Sequence, residues 1–276
     1  MGMMVSNAVH KSVRAYINHD KKIAQEVIDY DVDINDMEVK LEKKSFEMIA
    51  LQQPVTTDLR MIITVMKASS DLERMADHAV SIAKSTIRLK GETRIPEIEK
   101  EISDMSDYVK KMVDNVLIAY VKTDQKDARL IAKMDARVNE YFESIYSHSI
   151  KAMQANPETV ISGTDYLHVA TYLERIGDYV TNICEWIVYL ATALFDLEQQ
   201  LKEKYGLLEV HVVFSPETNS QVITEYLASY AAGYLEETIK NGDILGVSWG
   251  TTVYEIARKL NSQERAERRN CLKRRD

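Results

Sequence analysis

Apolar residues recur at helical spacing through most of the chain, as at Leu41, Met48, Ile62, Ile63 and Met66, in runs too long for strands. The pattern predicts a helix over residues 5–18. Asp20 then caps a second helix to about Gln53, where Pro54 stops it, because proline lacks an amide hydrogen and clashes with the preceding turn. A third helix starts at Thr56 or Thr57 and ends near Leu89. After a linker at residues 91–96 the plan repeats, with helices from Glu97 to Val121, Asp124 to Gln154 and Glu158 to about Leu194, and a turn at Asn156-Pro157. Past Leu197 the pattern changes. Residues 209–214 have the β-branched content of a strand, 219–240 read as a helix, and a second strand from Asp243 enters a small-residue turn and a helix to about Leu260.

The repetition extends to individual residues. Ala15-Tyr16 and Asp20 match Ala119-Tyr120 and Asp124, and Asp31 and Asn35 match Asp135 and Asn139, all at an offset of 104. Leu72-Glu73-Arg74-Met75-Ala76-Asp77 returns as Leu173-Glu174-Arg175-Ile176-Gly177-Asp178 at an offset of 101. One helical unit therefore occurs twice. The expected fold class is mainly α: two tandem three-helix bundles, residues 1–92 and 93–196, followed by a partial β-α-β-α segment over 197–262 and a basic tail over 263–276.

Only 9 Gly and 4 Pro in 276 residues suit long helices, and a net charge of -8 argues against bulk nucleic-acid binding. Two cysteines, Cys184 and Cys271, make no disulfide framework, so a cytoplasmic location is expected. The longest apolar run, Trp186 to Phe195, is short for a bilayer span.

Within each motif the Glu and Asp lie four residues apart and share a helix face, a repulsive arrangement unless something positive sits between them. A bound cation answers that requirement, and so does a neighbouring arginine on a solvated face. In the first hairpin Asp31, Asn35 and Glu38 precede Pro54 by about as many residues as Glu73 and Asp77 follow it. In the second, Asp135 and Asn139 stand in the same relation to Glu174 and Asp178. The acidic pairs are thus expected to face each other across antiparallel helices, within reach of a shared ion. The donors are oxygen only, which favours Mg²⁺, Ca²⁺, Mn²⁺ or iron over structural zinc; the expected cofactor is one of these divalent or iron-type ions, Zn included. A ferritin-like oxidase would need Glu-x-x-His pairs, which neither motif supplies, and no phosphate-binding P-loop occurs.

The doubled Leu-Glu-Arg-x-x-Asp, the run Ala50-Leu51-Gln52-Gln53-Pro54 leading to Asp58-Leu59-Arg60, and Asp31-x-x-x-Asn35-x-x-Glu38 together closely resemble PhoU proteins over residues 3–195. The resemblance implies a non-enzymatic negative regulator of phosphate uptake and of the phosphate-starvation (Pho) regulon. It would be a homodimer, peripheral to the membrane through its partners, the phosphate ABC transporter ATPase and a sensor histidine kinase, without direct nucleic-acid binding. It also implies metal clusters at Glu73 and Asp77 and at Glu174 and Asp178, faced by Asp31, Asn35, Asp135 and Asn139. Ala76 stands where the second motif has Gly177, and Ser81 where it has Asn182, which implies weaker binding at the first site.

From about residue 197, Gly206-Leu207 and Gly246-Val247-Ser248-Trp249-Gly250-Thr251-Thr252 resemble the opening of the effector-binding domain of SorC-type sugar regulators. The resemblance implies a sugar-phosphate turn at Ser248, Gly250, Thr251 and Thr252. Two alternatives follow: a sugar-phosphate-responsive regulator working through this segment, and a carboxylate-bridged metalloenzyme using the hairpins.

Overall fold

A computed structural model describes residues 1–54, 56–89, 93–213, 219–239, 244–246 and 250–260. The chain forms two compact units, Met1–Leu197 and Glu198–Asp276. The described helices are α1 (Gly2–Asn18), α2 (Lys21–Gln52), α3 (Thr56–Arg88), α4 (Pro96–Lys122), α5 (Gln125–Ala155), α6 (Val160–Tyr205), α7 (Ser220–Thr238) and α8 (Thr251–Lys259). A short 3-10 turn, Pro157–Thr159, leads into α6.

The internal repeat is visible in the turns. Asp20 caps α2 by accepting from the Lys22 and Ile23 amides at 2.9 and 3.1 Å. Asp124 caps α5 in the same way, from Lys126 and Asp127 at 2.9 and 3.0 Å. Just before each cap a non-glycine residue takes the left-handed conformation, His19 at φ 57° and Thr123 at φ 52°. The chain turns there because the Asp20 and Asp124 amides reach back to the Ala15 and Ala119 carbonyls, satisfying the helix ends.

The first unit is two three-helix bundles sharing one core. Val5, Val9 and Tyr16 of α1, Met75, Ala79 and Ile82 of α3, and Ile102, Met105 and Val109 of α4 are buried together with Leu173, Ile176 and Val180 of α6. The halves meet through equivalent helices. Residues 60, 71, 74 and 88 of α3 touch residues 189, 182, 179 and 165 of α6, so these two helices run antiparallel. α1 packs against α4, where the Ser6 hydroxyl donates to Asp114. Helices α2 and α5 bury few residues, chiefly Ala24, Val27 and Ile34 on one and Ala128, Ile131, Val138 and Ile145 on the other. They form the outer layers, so each acidic hairpin pairs one outer helix with a core helix.

Helix α6 is the one described helix long and apolar enough, by length and composition, to cross a membrane. Its apolar stripe of Tyr166, Val169, Leu173, Ile176, Val180, Ile183 and Ile187 is at most 1% exposed inside the bundle core.

The second unit departs from expectation. Residues 209–213 and 244–246, placed above in two strands, form no strand, and none is present among the described residues. A pair of strands with no third to cover a face is marginal in water; Val210, Val212 and Val213 are only half-buried and Ile244 is 89% exposed. The two predicted helices are present as α7 and α8. Only Ala228 and Ala232 are buried hydrophobics among this unit's described residues. The remainder of the expected second strand, Ser248 of the proposed turn and the basic tail lie outside the described residues.

Candidate metal centres

Each acidic hairpin brings its carboxylates to one level. At the first, Asp31 and Asn35 of α2 face Glu73 and Asp77 of α3. Asn35 Nδ2 donates to Asp31 Oδ2 at 3.3 Å. Burial, then the Asp77 charge, pushes the Asp31 carboxyl above its ordinary value. Glu73 is raised by burial and then by Asp77, Glu38 and Asp31. Four carboxylates on two helices thus sense one another, as the hairpin spacing predicts.

The second level repeats this. Asn139 Nδ2 donates to Asp135 Oδ2 at 3.0 Å. Asp135 is raised by burial and then Asp178, and Glu174 by burial and then Asp178. Arg175 lies 3.7 Å from Asp178, a loose and half-exposed pair that offsets part of this charge. Gly177 has a local role. A Cβ built on it would stand 3.1 Å from Asp135 Oδ1 and 3.4 Å from Val138 Cγ1, so the missing side chain lets α5 press its carboxylate against α6. The first hairpin has Ala76 there, 1% exposed.

Three oxygens of the donor set lack a partner. Asp31 Oδ1, Asn35 Oδ1 and Asp135 Oδ1 are buried and accept no hydrogen bond, an unfavourable state for a polar atom unless something supplies positive charge. These oxygens fit a hard cation. Among the described residues, however, no three His, Cys, Asp or Glu side chains are drawn together into a ready coordination sphere. Binding would therefore require small side-chain rotations that bring Glu73 and Asp77, or Glu174 and Asp178, onto the ion.

Ser81 and Asn182 lie elsewhere. Ser81 Oγ donates to its own helix at the Asp77 carbonyl. Asn182 Nδ2 crosses to Asp71 of α3 at 3.4 Å. The difference between these two residues thus falls at the α3–α6 contact rather than in either acidic level. His78, beside Asp77, is stacked between Tyr172 and Tyr179 at 5.6 and 5.8 Å, and burial pushes its pKa down. It packs the contact between the halves. Of the turn residues in the second unit, Gly250 immediately precedes α8, and Thr251 and Thr252 open it.

Comparison with known proteins decides the family. A PhoU domain model matches residues 1–86 and again 102–187. The chain belongs to the PhoU family. The PhoU homolog of Clostridium acetobutylicum, a phosphate-specific transport system accessory protein, is 39% identical over 70% of this chain and 88% of its own length. That of Streptococcus pneumoniae is 34% identical over 71% of the chain and 91% of its own length. Crystal structures of PhoU from S. pneumoniae and Pseudomonas aeruginosa superpose with TM-scores of 0.65 and 0.67, at 33% and 31% identity. They cover 69% and 70% of this chain and 89% and 92% of theirs. The match thus spans about nine-tenths of these relatives' own length. A second family model, Sugar-bind, which describes a sugar-binding domain, matches residues 190–271, beyond the PhoU region.

Proposed function

We propose that this PhoU-family protein is an accessory regulator of phosphate transport that holds hard cations at its two acidic levels. It works by contact with the phosphate transporter's ATPase and with a sensor histidine kinase at the cytoplasmic face, without chemistry of its own. Relatives at 34–39% identity that are named as phosphate-specific transport accessory proteins support the transport role. The observation that carries the cation reading is the repeated pairing of crowded carboxylates with an unpartnered buried aspartate oxygen, Asp31 Oδ1 at one level and Asp135 Oδ1 at the other. A cation held by Asp31, Asn35, Glu73 and Asp77, and one held by Asp135, Asn139, Glu174 and Asp178, would neutralise the repulsion and tie each outer helix to the core.

The test is complementation of a host lacking its own phoU with the wild type and with a Glu73→Gln/Glu174→Gln variant. The proposal expects the wild type to repress a phosphate-starvation reporter in high phosphate, and the variant to repress less at equal protein level. Failure of the wild type to repress would overturn the transport role, whereas equal repression by both would remove the cations from it. The Sugar-bind match favours a second reading for residues 190–271, a response to sugar phosphates through Gly250, Thr251 and Thr252. A thermal shift with fructose phosphates that Thr251→Ala abolishes would support it, and no shift would count against it.

A further inference from the structure

The two halves of the first unit are alike enough that a feature built in one and absent from the other stands out. A groove of about 440 Å³ lies between α2, α3 and α6, lined by Glu38 and Glu42 of α2, Lys67, Asp71 and Arg74 of α3, and Asn182, Glu185 and Trp186 of α6. Its volume falls in the range of sites for small groups, roughly 300–1,000 Å³. At its base Asp71 is only 7% exposed. That carboxylate accepts from Asn182 Nδ2 at 3.4 Å, and Trp186 lines the same groove. A carboxylate offers about four acceptor positions, so one long bond to Asp71, itself a groove-lining residue, leaves acceptor capacity in hand. None of the described ion pairs reaches Asp71, and four carboxylates line the groove against two cations.

The repeat shows that none of this is required by the fold. At the offsets of 104 and 101, the positions equivalent to Glu38, Glu42, Asp71 and Glu185 are Phe142, Tyr146, Tyr172 and Lys84. All four acids are absent from the other half. Asn182 and Trp186 are matched there by Ser81 and Ser85. On that side Tyr172 stacks between His78 and His168 instead, and closes the contact with rings. The same helix crossing can thus be packed without a buried carboxylate, an indole or a net negative lining.

We propose that the groove around Asp71 is a docking site for an arginine side chain carried by a partner protein. A guanidinium presents paired N–H groups that match a carboxylate. The free acceptor capacity of Asp71 receives them, the Trp186 ring lies beside the cation, and Glu42 and Glu185 set the negative rim. A protein-borne arginine suits this charge better than the free amino acid, whose α-carboxylate would enter a lining that is already negative. The groove shares Glu38 with the first acidic level but uses none of Asp31, Asn35, Glu73 and Asp77.

The test uses the full chain with Trp249→Phe, which leaves Trp186 as its one indole, in chelator. The probes are N-acetyl-arginine amide, its uncharged analogue N-acetyl-citrulline amide, and free arginine. The expected result is a saturable change in Trp186 emission with the acetylated arginine, and binding weaker by about tenfold or more for the citrulline probe. Free arginine should bind more weakly than the acetylated form. Asp71→Asn should weaken the arginine probe by a similar factor. If that variant fails to fold, Glu185→Lys, which installs the charge of Lys84 at an exposed position, should do the same. Equal binding of citrulline, or no saturable change, overturns the proposal. Tighter binding of free arginine also overturns it, by assigning the groove to a small molecule.

Discussion

Replacing Gly177 with alanine separates the packing of the second hairpin from its ability to hold a cation. Glycine inside a helix costs about 0.5–1 kcal/mol relative to alanine, so the change favours α6. Against it stands the new methyl, 3.1 Å from Asp135 Oδ1 and 3.4 Å from Val138 Cγ1. The oxygen has no hydrogen bond to lose, and Asp135 can swing outward by the few tenths of an ångström required. The helix gain should dominate in chelator, giving about 0.5–1 kcal/mol, or roughly 1–4 °C in melting temperature for a unit of this size. With cation present the sign should reverse. Moving Asp135 off its ligand position should weaken binding by about tenfold, near 1.4 kcal/mol, which outweighs the gain. The assay is thermal melting of wild type and variant in chelator and in millimolar Mg²⁺ or Mn²⁺. An equal rise under both conditions would refute the reasoning, because Asp135 would then play no part in holding an ion.

Three further outcomes follow from the same structure. Asp31, Glu73, Asp135 and Glu174 all have carboxyl pKa values raised by burial and then by Asp77 or Asp178. The folded state therefore binds their protons more tightly than the unfolded state, and their contribution to stability falls as pH rises through the folded values. In chelator at low salt, urea melts should show wild type gaining more stability between pH 7 and pH 5 than Asp77→Asn/Asp178→Asn; an equal gain would contradict this. Thr123, a β-branched residue at φ 52°, should be replaceable by glycine with a gain of about 1 kcal/mol, read from the urea midpoint; a loss would mean its side chain holds the α4–α5 turn. Truncation after Leu197, at the division between the units, should leave a fully helical protein with unchanged metal binding; loss of either would make the second unit part of the fold.

Much of the fold was legible because the signals for it are local. Asp20 and Asp124 marked the helix starts by the chemistry that caps them, and Pro54 marked a stop. The offset repeat implied two copies of one unit and also which helices carry the acidic faces, since equal distances from a hairpin turn give equal heights. The face-to-face arrangement of Asp31 with Asp77 and of Asp135 with Asp178 followed from counting alone. The strand assignment failed where the signal depended on distant partners. Val210, Val212 and Val213 favour extended backbone, but strand pairing needs neighbours, and the described residues supply none. α6 also continues to Tyr205, past the end expected near Leu194, because no proline or glycine interrupts it before Gly206. The Asp71–Asn182 contact was not legible, since it joins helices of different repeats. The one signal for it was the loss of repeat symmetry, with Asp71 opposite Tyr172 and Trp186 opposite Ser85.

An anomalous-scattering map from crystals loaded with Mn²⁺ decides whether the two carboxylate levels hold cations. Peaks are expected at both levels, within about 2.0–2.6 Å of carboxylate oxygens, one set including Asp31, Glu73 and Asp77 and the other Asp135, Glu174 and Asp178. A map with no peak at either level, the carboxylates still apart and solvated, would contradict the cation reading.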